Sequence, residues 1–191
     1  MRTFVWVVLM LCLAATAVAQ NEPKSTPSQP STNSTPIGAP GTTLGLGGKV
    51  AIGDQAPSFS LTSASGHERT LKSLRGDWVV LVFATDKREF AAFRKMNEKF
   101  AALPSVLLGV TRANPQTLAT FAKKQELEME LLADVTGEIS AIYGFYDSFA
   151  GHTKPGFLVI DRKGIVRLVV QGQSVPPDQV LSLAKFTIQG P

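Results

Sequence analysis

Residues 77–84 read Asp-Trp-Val-Val-Leu-Val-Phe-Ala, an apolar run with no polar alternation. A strand with one wet face alternates, so an unbroken run asks for cover on both sides. That requirement puts the segment at the centre of a sheet packed between two layers, and it points to an α/β class.

The flanking segments supply the layers. Residues 58–61 and 68–71 predict a hairpin turning at Ser65-Gly66. After the apolar run, Phe90, Phe93, Met96, Phe100 and Leu103 recur at helical spacing, with Arg94, Lys95, Glu98 and Lys99 on the other side. Residues 106–111 predict a second buried strand. Asn114-Pro115 then offers an N-cap and a first-turn proline to a helix that turns Leu118, Phe121 and Ala122 inward. A short strand is expected over 130–133, followed by a helix capped by Asp134 and ending near Gly144. Residues 157–161 and 165–170 predict a late hairpin. A final helix follows Pro176-Pro177 through Val180, Leu181, Leu183 and Ala184. The order is a hairpin, β-α-β-α-β-α, a second hairpin and a last helix: a central mixed sheet flanked by helices.

The first 48 residues are of two other kinds. Residues 1–19 have a positive start at Arg2, an apolar stretch from Phe4 to Ala15 and the small-x-small pattern Ala17-Val18-Ala19. They predict a signal peptide cleaved before Gln20, because an apolar run of about 15 residues is short for a membrane-spanning helix. Residues 20–48 are dominated by Pro, Ser, Thr and Gly, a composition that predicts a disordered linker. The domain is then 49–191. The 191-residue chain carries a formal net charge of +4, but its basic residues are scattered dipeptides such as Lys87-Arg88 and Lys123-Lys124. That pattern argues against nucleic-acid binding, and no stable membrane span is expected once the signal is removed.

The stretch Gly53-Asp54-Gln55-Ala56-Pro57-Ser58-Phe59-Ser60-Leu61, with Gly66, Leu71, Leu74, Gly76 and Val79-Val80-Leu81-Val82-Phe83, resembles the opening of the peroxiredoxin family. The branches it is similar to are alkyl hydroperoxide reductase/thiol-specific antioxidant and bacterioferritin-comigratory. Phe157-Leu158-Val159-Ile160-Asp161 with Gly164 resembles that family's late hairpin, and residues 121–143 its helix-strand-helix. The likeness runs over residues 50–185. It implies a thioredoxin-like fold of the peroxiredoxin type and a peroxidase ancestor.

The family's peroxidatic motif is Pro-x-x-x-Thr-x-x-Cys, after the core strand. Here the corresponding stretch is Phe83-Ala84-Thr85-Asp86-Lys87-Arg88-Glu89-Phe90, which is shorter and has neither proline nor cysteine. With Glu89 set over the family's Cys-x-x-Glu, Asp86 falls where the nucleophile would be, Thr85 is nearest the threonine, and Lys154 stands for the family's arginine. The resemblance therefore implies no catalytic residue, and a vacated pocket bordered by Thr85, Asp86, Glu89, His152, Lys154 and Pro155.

Read on their own, Asp86 and Glu89 predict a capping box. A competing expectation is an Asp86–Lys154 ion pair. His67 is expected to be exposed in the first turn, and His152 to lie in a loop, 147–153, at the pocket rim. Two separated histidines without cysteine predict no metal site, and no cofactor is expected. Pro155 reads as a structural turn, its isomer open. Tyr143, Phe145, Tyr146 and Phe149 form an aromatic cluster, mostly packing and in part a surface for a partner.

The only cysteine is Cys12, inside the expected signal peptide. Peroxide cleavage by this family needs a thiolate, and Met96 and Met129, expected in the core, offer only stoichiometric oxidation. The expectation is an exported domain, periplasmic or secreted, that lacks peroxidase activity and serves as a binding module for an unidentified protein partner. One alternative is a thiol-dependent antioxidant enzyme using a retained Cys12 or a partner's thiol. Another is a small-molecule or metal binder at the vacated pocket.

Overall fold

A computed structural model describes residues 50–190. Cys12, the expected signal peptide and the expected linker lie outside the described residues. A seven-stranded sheet is built from β1 (Ser60–Ser63), β2 (Glu68–Thr70), β3 (Trp78–Phe83), β4 (Ser105–Thr111), β5 (Glu130–Ala133), β8 (Gly156–Ile160) and β9 (Val166–Gln171). Their order across it is β2-β1-β5-β4-β3-β8-β9. A two-stranded ribbon pairs β6 (Tyr146–Asp147) with β7 (His152–Thr153). Strands β3, β4 and β5 run parallel, and β8 lies antiparallel to β3. The expected central mixed sheet with an N-terminal hairpin is present.

The unbroken run divides residue by residue between two cores. Val79, Leu81 and Phe83 face one; Val80, Val82 and Ala84 face the other. β8 does the same, with Leu158 and Ile160 on the first side and Phe157 and Val159 on the second. Phe59, Leu71, Leu74, Tyr143 and Phe145 close the first core. The second lies under the segment after β3, under α2 (Pro115–Gln125) through Leu118, and under α4 (Pro177–Gln189) through Val180 and Ala184. Leu183 of α4 is exposed.

Several boundaries differ from the expected ones, each for a local reason. β1 sits two residues later because Thr62 and Ser63 pair with Ala133 and Leu132 of β5. Ile165 gives its N–H to the Asp161 carboxylate and bridges to Gln55 instead of joining the β8–β9 ladder, so β9 starts at Val166. The segment expected to be one α-helix is a 3-10 helix over Lys87–Met96 followed by α1 (Asn97–Ala101). Phe90, Phe93 and Met96 are spaced by threes, the repeat of a 3-10 turn, and the step from Met96 to Phe100 restores the α repeat. Met96 is only half-buried there, whereas Met129 is buried. Asp134 does cap a helix, α3 (Glu138–Ile142), but from outside it, accepting from the Ile139 and Ser140 N–H groups.

Among the described residues no helix is long and apolar enough to cross a membrane.

Candidate functional site

Thr85 and Asp86 follow β3 after Ala84, where the sheet hands the chain to the 3-10 helix. Glu89 Oε1 accepts from the Asp86 N–H at 3.0 Å, and Asp86 Oδ1 accepts from the Arg88 N–H at 2.8 Å. The capping box is formed, with the Asp86 carboxylate bonded to the N–H one residue earlier than its sequence spacing suggests. Arg88 also brings its guanidinium Nε to Asp86 Oδ1 at 2.8 Å. The Arg88 side chain, helped by its main-chain N–H, holds the Asp86 carboxyl below its ordinary value of 3.8.

The expected Asp86–Lys154 ion pair is not formed. Lys154 Nζ lies 3.7 Å from Asp147 Oδ2 instead. Asp147 is fixed at the tip of the β6–β7 ribbon, where its Oδ1 accepts from the Ala150 and Phe149 N–H groups, both at 3.0 Å. Each charge takes the partner its own turn supplies.

The predicted pocket residues do not share one pocket. Thr85 and His152 line an open cleft of ≈ 380 Å³ together with Arg112, Ala113, Asn114, Val135, Gly151 and Thr153. Glu89 lines a different void, of ≈ 20 Å³, under the 3-10 helix beside Phe90 and Phe157; that is room for about one water. Asp86, Lys154 and Pro155 line neither. Pro155 follows a trans peptide bond and serves as a turn, its carbonyl accepting from the Gly172 N–H at 2.9 Å.

The larger cleft lies beyond the carboxyl ends of β3, β4 and β5. Its floor is tied by the Thr85 hydroxyl, which donates to the Thr153 carbonyl at 2.9 Å. Its one guanidinium belongs to Arg112, whose Nη1 donates to the Gly151 carbonyl at 2.7 Å and to the Tyr146 hydroxyl at 3.2 Å. The Tyr146 ring lies 5.7 Å from the Arg112 Cζ, in cation–π range. Sequence reasoning missed Arg112, Asn114 and Val135 as cleft residues. Arg112 did carry a signal: a lone cation immediately after a buried strand.

His67 is exposed in the first turn, as expected. The aromatic cluster divides: Tyr143 and Phe145 are buried, with Phe145 stacked on Phe83 at 4.2 Å, while Phe149 projects fully into solvent from the ribbon tip. Burial pushes the Tyr143 phenol above its ordinary range. Among the described residues no three His, Cys, Asp or Glu side chains converge on a metal-sized site.

Comparison with known proteins gives this architecture a family. Residues 52–169 match the AhpC/TSA family. Chloroplastic peroxiredoxin Q of Populus jackii is 31% identical over 140 residues, covering 69% of this chain and 65% of that protein. The Gentiana triflora counterpart is 30% identical over 146 residues, with 72% and 67% covered. The chain thus spans about two thirds of the length of the curated relatives it matches. The crystal structure of peroxidoxin BcpB from Mycobacterium tuberculosis superposes with a TM-score of 0.62 at 25% identity, covering 71% of this chain and 97% of that one. A cysteine-to-serine mutant of PrxQ from Xylella fastidiosa has a TM-score of 0.64 at 18% identity, covering 73% and 98%, a likeness of fold. The sheet, its two cores and these relatives agree on a thioredoxin-like domain of the peroxiredoxin type, and the chain belongs to the AhpC/TSA family.

Proposed function

We propose that this protein is an exported peroxiredoxin-type domain that binds a partner or ligand and does not reduce peroxide. The observation that carries the reading is the state of Asp86. It stands where alignment of the helix start places the family's nucleophile, and its carboxylate is occupied by the Arg88 N–H and guanidinium. A carboxylate so held is a hard, weak nucleophile toward peroxide oxygen, a step for which the family depends on an activated thiolate. None of the described residues is a cysteine. Export is supported by the pattern of residues 1–19 alone.

The family relationship favours a second reading, a thiol-dependent antioxidant enzyme that draws its sulfur from Cys12 or from a partner. One experiment separates the two. The protein is recovered after expression of the full chain, its intact mass is measured, and hydrogen peroxide consumption is followed with dithiothreitol as reductant. The binding reading expects a species beginning at Gln20 and no consumption above the reductant's own background. Turnover that depends on the protein overturns it, and turnover only in material retaining Cys12 establishes the second reading.

A further inference from the structure

We infer that the cleft at the carboxyl ends of β3, β4 and β5 binds a small organic carboxylate, gripped by Arg112 and Asn114 with its apolar part against Val135. The inference rests on the binding-domain reading and supplies the ligand class that reading leaves open.

Thr85, Arg112 and Val135 each follow within two residues of the end of a parallel strand, and the crevice outside such ends is where α/β sheets bind ligands. At ≈ 380 Å³ the cleft falls within the range of small-molecule sites.

Arg69, Arg88, Arg94 and Arg167 each pair with a carboxylate, whereas Arg112, like Arg75 and Arg162, has none within 4.0 Å among the described residues, and of these three only Arg112 lines the cleft. No acidic residue lines the cleft. The Arg112 side chain is nevertheless held in place, by the Gly151 carbonyl and by the Tyr146 hydroxyl and ring. Both protein bonds go to Nη1. The Nε and Nη2 edge, the side of the fork that matches two carboxylate oxygens, has no hydrogen-bond partner among the described residues. A guanidinium held by one nitrogen with its bidentate edge free has its side-chain entropy largely spent before any ligand arrives.

The remaining lining narrows the class. Asn114 Oδ1 is engaged by the Thr117 N–H at 2.8 Å, which leaves its amide Nδ2 as a further donor. Val135 is 57% exposed and, with Ala113, gives the cleft an apolar wall that an inorganic oxyanion would not use. Two donor groups beside a branched apolar side chain suit a carboxylate on a short hydrocarbon body.

The test titrates the full chain with sodium isobutyrate at fixed ionic strength, read by amide chemical shifts and by calorimetry. Isobutyramide and sodium phosphate serve as the two comparison probes. The expected result is saturable binding with a Kd on the order of 1 mM, shifts centred on Thr85, Arg112, Val135 and Gly151, and at least about tenfold weaker binding of both comparison probes. Arg112→Gln and Val135→Asp are each expected to weaken isobutyrate by about tenfold or more. The second variant alters an exposed side chain, so it decides the matter if loss of Arg112 loosens the ribbon. Absence of saturation, equal affinity for isobutyramide, equal affinity for phosphate, or wild-type affinity in Val135→Asp each overturns the inference. Because no peroxide is present, a flat titration sinks the cleft alone, whereas peroxide turnover sinks the binding-domain reading and leaves this result standing.

Discussion

The main-chain N–H and the guanidinium Nε of Arg88 both donate to a single oxygen of Asp86, Oδ1, at 2.8 Å each. One of these bonds caps a helix and the other is an ion pair on a surface where Arg88 is largely exposed, so the two differ in worth. The cap contributes about 1 kcal/mol, and the exposed pair from zero to about 1 kcal/mol. Asp86→Ala is therefore expected to lower unfolding stability by about 1 kcal/mol. Asp86→Asn, which keeps an acceptor for the Arg88 N–H, is expected to stay within about 0.5 kcal/mol of the parent. Urea unfolding of both variants checks this, and equal losses would show that the charge matters more than the cap.

Gly156 opens β8 with φ +151°, and a Cβ there would stand 2.2 Å from the Val170 carbonyl oxygen and 2.8 Å from the Phe145 ring. The oxygen is main chain of the neighbouring strand, so relief requires the sheet itself to shift. Gly156→Ala is expected to cost about 3 kcal/mol or more, overpacking adding to the backbone penalty. Gly66, at φ +83° with nothing within 4 Å, isolates the backbone part, and Gly66→Ala is expected to cost about 1 kcal/mol. Denaturant unfolding of the pair measures the difference; similar losses would mean that β9 yields at this contact.

The two-core fold could be read from residues 77–84 because a strand's side-chain period is short and Val79 to Ala84 never break it. The cleft could not. Its lining is drawn from residues 85, 112–114, 135 and 151–153; the order β5-β4-β3 makes the first three groups neighbours, and the separate β6–β7 ribbon brings in the fourth. Arg112 is positioned by Tyr146 and Gly151, on and beside a ribbon whose strands are two residues long. Strands so short carry no periodicity, and the segment reads as loop. The Asp86–Lys154 expectation erred for a related reason. Family correspondence put both residues in one pocket, but Arg88 and Asp147 are close along the chain and meet them at less entropic cost.

Asp134 is 1% exposed and accepts from the Ser140 hydroxyl at 2.7 Å, the Ser140 N–H at 2.8 Å and the Ile139 N–H at 3.3 Å. It thereby fastens α3 to the end of β5, and the same Ser140 hydroxyl sits 3.4 Å from that of Thr153 beneath the cleft. Removing the acceptor leaves buried donors without partners. Asp134→Ala is expected to cost about 2–4 kcal/mol in unfolding free energy, and Asp134→Asn, which keeps one carbonyl oxygen, clearly less. The alanine variant is also expected to show faster amide exchange at Ser140 and Thr153. Unchanged exchange there would place the support of the ribbon elsewhere.

Asp161 closes the turn between β8 and β9, and its acid titration should be visible in the protein's stability. Burial acts to raise its carboxyl, but the Ile165 N–H, the Arg167 guanidinium and the Lys163 N–H together outweigh burial and hold it below 3.8. A carboxyl depressed in the native state binds protons less readily than the same group unfolded. Its contribution is therefore complete above the unfolded value of about 3.9 and is lost as pH falls through the native value. Asp86 and Asp147 are lowered in the same direction, but solvent screening makes their share small. The urea midpoint of the parent is expected to drop as pH falls below about 4. Asp161→Asn is expected to start about 1.5–3 kcal/mol less stable at neutral pH and to lose markedly less on acidification, so that the two curves converge. Parallel curves through that window would show that the turn's hydrogen bonds do not depend on the charge of Asp161.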